Sequence, residues 1–106
     1  MLELACNEYG EDGPPLIVMH GLFGSARNWA GIARALTETH RVYSLDLRNH
    51  GASPRASTMT YKEMAEDVAG FIDRAGIEAP VVMGHSMGGK VAMRLALERP
   101  DLLKGL

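Results

Sequence analysis

The chain has 106 residues, room for one small domain. Hydrophobic residues make up 46% and charged residues 23%, and the formal net charge is −2, so neither a basic face for nucleic acid nor an acidic solvated arm is expected. The single cysteine, Cys6, excludes an intrachain disulfide and favours a reducing compartment. Stretch 1–8 has no basic region and carries Glu3, which does not fit a signal peptide. The longest apolar run, 16–19, is too short to span a bilayer. Cytoplasm is therefore the expected location, with no membrane contact.

Residues 2–7 alternate apolar and polar and read as a half-exposed strand. Cys6 lies in it and reads as packing, not as a nucleophile. Residues 10–15 form a turn, with Asp12-Gly13 ahead of two prolines. Leu16-Ile17-Val18-Met19 is continuously apolar, the pattern of a strand buried on both faces. A glycine-rich loop, 20–25, follows. Trp29, Ile32, Ala33 and Leu36 recur at helical spacing, so 28–37 reads as a short helix with Asn28 or Ser25 as its cap.

Residues 41–47 read as a strand ending at Asp46, and 48–57 as a loop rich in residues that disfavour regular structure. Asp46 and Arg48 are expected to pair and hold that turn. Thr60 and Glu63 form a capping box that opens the strongest helix. Met64, Ala65, Val68, Phe71, Ile72 and Ala75 make its apolar face, and Gly76 stops it. Residues 81–83 read as a buried strand, 84–89 as a tight turn and 91–98 as a helix ending before Pro100. Residues 102–106 open a further strand. Strand-like and helix-like segments alternate, which predicts an α/β class. Right-handed crossovers then give a mostly parallel sheet with helices on both faces.

Chemistry concentrates at Gly84-His85-Ser86-Met87-Gly88, followed by Gly89. A G-x-S-x-G arises by chance in about 3% of chains this long, so its context decides. Here a buried strand precedes it and a helix follows it. A strand that turns directly into a helix leaves the serine strained at the sheet's C-terminal edge, and Gly84, Gly88 and Gly89 keep the neighbouring chain clear of the turn. The Ser86 hydroxyl then projects at a helix N-terminus, where N–H groups favour developing negative charge. The bland alternative is a strand–helix turn with a capping serine.

A second segment, Met19-His20-Gly21-Leu22-Phe23-Gly24-Ser25, also follows a buried strand. A hydrolase with this turn needs two backbone N–H groups for an oxyanion: Met87 supplies one and Leu22 is assigned the other. Gly21 lets the loop bend. His20 is read as a structural support that hydrogen-bonds the loop backbone. His85 is a spacer in the turn, His50 a loop residue near the same sheet edge, and His40 lies at the opposite end. None of these is assigned as the base.

HGLFGSARNW, DLRNHGASP and GHSMGG, in that order and at these spacings, resemble the α/β-hydrolase superfamily, and within it small acyl esterases of the YbfF type. The resemblance covers essentially all 106 residues. It implies that Ser86 is the nucleophile and that the Met87 and Leu22 amides form the oxyanion hole. The chemistry it implies is hydrolysis of small-molecule acyl esters or thioesters through an acyl-enzyme, with no metal and no organic cofactor. Members of that superfamily carry serine, acid and histidine in that order. After Ser86 this chain has no histidine, and its only carboxylates, Glu98 and Asp101, lie where the last helix ends. The expectation is a single partial domain over 1–106, the N-terminal half of the fold and incomplete C-terminally, with acid, base and cap absent. Alone it should be inactive or nearly so. By the same resemblance strand 81–83 is central, with 16–19 on one side and the strand begun at Leu102 on the other. An open edge there is expected to drive self-association.

Two other readings compete. Gly84 to Lys90 fits the opening of a phosphate loop, but Val91 stands where Ser or Thr would ligate Mg²⁺. A non-catalytic interaction module built from part of a hydrolase is the other. The acyl group and the alcohol or thiol are not specified by these residues.

Overall fold

An apolar run buried on both faces has to take its backbone hydrogen bonds from neighbouring strands. The computed structural model, which describes residues 2–21, 24 and 29–105, places the apolar runs side by side in one sheet. β1 (Cys6–Tyr9), β2 (Pro15–Met19), β3 (Arg41–Leu45) and β4 (Val81–Gly84) stand in the order β1-β3-β2-β4. β2 is parallel to both β3 and β4, and β1 pairs antiparallel with the outer side of β3. Ile17 is the register mark, opposite Tyr43 on one side and Val82 on the other.

The strand period of two sorts side chains onto two faces. Ile17, Met19, Tyr43, Leu45 and Val82 pack with α2 (Tyr61–Ala75) and α3 (Met87–Glu98). Leu16, Val18 and Val42 pack with Ala33 of α1 (Ala30–Leu36) on the other face. The fold is therefore α/β with helices on both faces of a mostly parallel sheet. Among the described residues no helix is long and apolar enough to cross a membrane.

α2 is set at both ends by the residues its sequence marks. The Thr60 hydroxyl accepts from the Glu63 N–H at 3.1 Å, while the Thr60 N–H donates to the Glu63 carboxylate at 3.2 Å. Gly76 closes the helix at φ 66°, in the left-handed region that favours glycine. Hydrogen bonds from Thr58 and from Thr60 hold the Glu63 carboxyl below its usual range.

Other boundaries differ from expectation. The first strand runs over Cys6–Tyr9, not 2–7, because the backbone ahead of it bonds elsewhere. Leu2 N–H donates to Asp67 at 2.8 Å, and Ala5 N–H donates to the Ser53 hydroxyl at 2.7 Å. Burial pushes the Cys6 thiol up to about 12, the state of a packed and unreactive group. α1 is narrower than its apolar spacing suggests: Ala33 is buried against the sheet but Ile32 is 52% exposed. The cap candidates Ser25 and Asn28 lie outside the described residues. On α2, Phe71 is only half-buried and Ala75 is exposed. Of the strand expected over 102–106, Leu102 instead closes a 3-10 turn over Pro100–Leu102. Gly105 then bridges Val81 in parallel, and its carbonyl accepts from Val82 N–H at 3.0 Å. β4 is thus bonded on both sides at this end, as expected of a central strand.

Arg48 does not pair as expected. Its side chain crosses to α2, where Nε and Nη2 donate to the two Asp67 oxygens at 2.7 and 3.0 Å, and Nη1 donates to the Thr58 carbonyl. Glu63 adds a second carboxylate at 3.4 Å. The Asp46 carboxylate instead turns into its own loop and accepts from Ala52 N–H at 3.0 Å. Arg48 and Asp67 are both buried, so removing Arg48 leaves Asp67 as an uncompensated charge, and removing Asp67 leaves Arg48 only the partly exposed Glu63. Asp67→Ala should cost about 3–5 kcal/mol in urea unfolding, whereas Arg48→Met with Asp67→Leu should recover most of that loss. The exposed neighbour Glu66, changed to Ala, should move stability by no more than about 0.5 kcal/mol.

Candidate active site

β4 ends at Gly84 and α3 begins at Met87, so only His85 and Ser86 make the turn. Ser86 has φ 54° and ψ −111°, a conformation that non-glycine residues rarely adopt. The surroundings enforce it. A Cβ on Gly84 would come within 2.5 Å of the Gly89 nitrogen, and one on Gly88 would come within 2.6 Å of the His20 carbonyl oxygen. The first turn of α3 therefore lies directly on the end of β2. His85 N–H donates to the Met19 carbonyl at 3.1 Å and ties the turn to the same strand end.

Ser86 is exposed and its hydroxyl makes no capping bond to the helix it precedes. The hydroxyl is thus not used as a cap, which removes the bland alternative for this serine. The first N–H of a helix has no acceptor inside the helix, and here that residue is Met87. Gly21 lies against the turn: a Cβ there would stand 3.5 Å from Ser86 Cβ and 3.1 Å from His85 Nδ1. Gly24 N–H donates to the Gly21 carbonyl at 3.0 Å. Leu22, assigned the second oxyanion amide, lies outside the described residues.

The histidines divide by their partners. His20 is fully buried, with Nδ1 bonded to the Gly21 carbonyl at 2.7 Å and Nε2 accepting from Leu47 N–H at 3.0 Å. That pattern fixes Nδ1 as the protonated nitrogen and leaves neither nitrogen for a substrate. Burial pushes His20 below the ordinary imidazole value of 6.5, while the Gly21 carbonyl opposes the shift. His50 is also buried, bonds the Arg48 carbonyl at 2.8 Å and packs on His20 at 4.9 Å between ring centroids. His85 is exposed and meets the Trp29 ring edge-on at 6.2 Å. His40 bonds Thr39 at the start of β3, away from this edge.

A cavity of about 310 Å³ opens beside Ser86, lined by Met59, Tyr61, Met64, Met87 and Lys90. The sequence reading missed these walls, since Met64 reads there only as core. It also missed Asp67. One signal was available: Asp67 stands among Met64, Val68 and Phe71 on the helix face that turns inward, where a carboxylate calls for a buried cation. Val91, the residue that spoils the phosphate-loop reading, is buried in the core and presents no ligand.

Residues 14–106 match the alpha/beta hydrolase fold family. The chain is 49% identical over 94 residues to an sn-1-specific diacylglycerol lipase ABHD11 of Xenopus tropicalis, covering 87% of this chain and 30% of that protein. It is 41% identical over 92 residues to esterase YbfF of Escherichia coli, covering 87% and 36%. A solved marine microorganism esterase superposes with a TM-score of 0.95 at 48% identity, covering 97% of this chain and 40% of the other. The chain thus spans about a third of the length of the curated relatives it matches.

The close approach of α3 to β2 has a measurable consequence. Gly88→Ala should destabilise by about 3 kcal/mol or more, because the added methyl meets backbone that cannot give way. Gly31→Ala on α1, where a Cβ meets nothing within 4 Å, should instead stabilise by up to about 1 kcal/mol in the same melts.

His20 gives a pH dependence whose sign follows from its shift. Its folded pKa is lowered, so below 6.5 the unfolded chain takes up a proton that the folded chain resists. Its contribution is therefore complete above 6.5 and is lost as pH falls towards the folded value. Urea midpoints should decline as pH drops below 6.5, and His20→Asn should flatten that slope.

Proposed function

The chain belongs to the alpha/beta hydrolase fold family, and from that premise we propose that Ser86 is the nucleophile of a hydrolase of carboxylic acyl esters or thioesters. The observation that carries this reading is the Ser86 backbone at φ 54°, held by glycine contacts, with an exposed hydroxyl that caps nothing. The names of the relatives, an esterase and a lipase, support the same class.

In this reading the Ser86 oxygen attacks the substrate carbonyl carbon, and the oxygen of that carbonyl gains negative charge. The N–H groups of Met87 and Leu22 receive it. Collapse expels the alcohol or thiol and leaves an acyl group on Ser86, which water then releases. A general base has to take the hydroxyl proton. His20 is spoken for by its two backbone partners, so it is not that base. Without a base and its carboxylate, only oxyanion stabilisation and binding remain, worth at most roughly 10³–10⁴ over water.

A fluorophosphonate probe tests the assignment in the polypeptide that carries these residues. Labelling should map to Ser86 and disappear in Ser86→Ala; a label that survives that change sinks the proposal. Residues 1–106 alone should label weakly. Turnover of p-nitrophenyl acetate by 1–106 at an ordinary esterase rate would make His85 or His50 the base.

A further inference from the structure

The cavity beside Ser86 has two kinds of wall. Met59, Met64 and Met87 present flexible, polarizable thioether chains that adapt to an apolar group. Lys90 and Tyr61 make the other wall. Lys90 lies one turn after the nucleophile, its N–H donating to the Ser86 carbonyl at 3.1 Å. Its ammonium sits over the Tyr61 ring, 5.9 Å from the centroid, a placement that holds the charge at the cavity without neutralising it. Among the described residues no carboxylate forms an ion pair with Lys90, as is also true of Lys62 and Lys104; what sets Lys90 apart is its place at the cavity beside Ser86. An ammonium left without a counter-ion, at an otherwise apolar cavity that also contains the nucleophile, is placed to take its counter-ion from the substrate.

We propose that Lys90 is a specificity residue that makes the Ser86 cavity prefer amphiphilic acyl esters, those with an apolar chain and an anionic group. The proposal rests on the reading of Ser86 as nucleophile. Lys90 performs no step of the reaction; it positions the charged end of the substrate while the methionines receive the chain.

Two matched substrate pairs test it and separate the two sides of the scissile bond. One pair is p-nitrophenyl pentanoate and p-nitrophenyl monoglutarate, with the charge on the acyl side. The other is phenyl butanoate and 4-carboxyphenyl butanoate, with the charge on the leaving group. The readout is the ratio of kcat/KM, charged over neutral. Lys90→Met should lower that ratio about fivefold for at least one pair, mainly through KM, as expected of a solvent-facing ion pair. Lys90→Arg should restore it, and Lys62→Met on the exposed side of α2 should leave it unchanged. A ratio that does not respond to Lys90→Met in either pair overturns the proposal. All four esters are assayed with the polypeptide that carries these residues together with its base; if none is hydrolysed there in a Ser86-dependent way, the hydrolase reading has failed. Monoethyl glutarate is then titrated in, followed at the Met59 and Met64 methyl resonances. About fivefold weaker binding in Lys90→Met supports an anion-selective cavity, and equal binding overturns it.

Discussion

The approach of the first turn of α3 to the end of β2 is the contact on which the rest of the site depends. At Gly88 the helix backbone meets the Met19 and His20 carbonyls at a distance that leaves no space for a side chain. That contact fixes where α3 starts, and hence that only His85 and Ser86 separate it from β4. With so little chain to make the turn, the serine backbone is forced to positive φ, a strain of order 1–3 kcal/mol that the surrounding sheet has to hold. The same contact brings the loop after β2 against the serine. Strain, exposure of the hydroxyl and nearness of the second loop thus have one cause.

A polar layer supports that loop from behind. His20 joins the loop after β2 to the loop after β3, bonding the Gly21 carbonyl through one nitrogen and the Leu47 N–H through the other. The second loop is in turn anchored. Asp46 holds Ala52, the Ser53 hydroxyl donates to the Asp46 carbonyl at 2.5 Å, and a Cβ at Gly51 would collide with the Asp46 carboxylate. Arg48 carries the chain of contacts on to Asp67 in α2, which also receives the Leu2 N–H. A buried ion pair of this kind is weak evidence for stability, since desolvation offsets its attraction. Its geometric effect is clearer: it fixes one register between the loop after β3 and α2.

Most of this architecture was legible in the sequence where local physics alone decides. The capping box at Thr60 and the stop at Gly76 stand as read, because a hydroxyl, a carboxylate and a glycine act within a few residues of themselves. The three buried runs became β2, β3 and β4, because apolar continuity has few other outcomes. Tertiary partners decided the remainder. The alternation in residues 2–7 belongs in part to a segment whose N–H groups bond Asp67 and Ser53, far away in sequence. Arg48 passes over Asp46, two residues away, for Asp67, and no local rule distinguishes them. α3 starts at Met87 instead of Val91, because the helix needs its glycines at the contact with β2, where propensity alone would leave them in the turn.

The same partition explains why the strained serine turn is legible in the sequence and a base for it is not. A strained serine turn is a local device whose glycines are spaced by the geometry of one strand and one helix. A base is defined by distance to the serine and by a free nitrogen, and both are tertiary properties. His20 shows the difference. It directly precedes Gly21, which lies against Ser86. Its two backbone hydrogen bonds remove it as a base, and burial lowers its affinity for the proton it would have to accept. His50, packed on the His20 ring and bonded to the Arg48 carbonyl, belongs to the same supporting layer. The two buried imidazoles near the site thus hold loops in place.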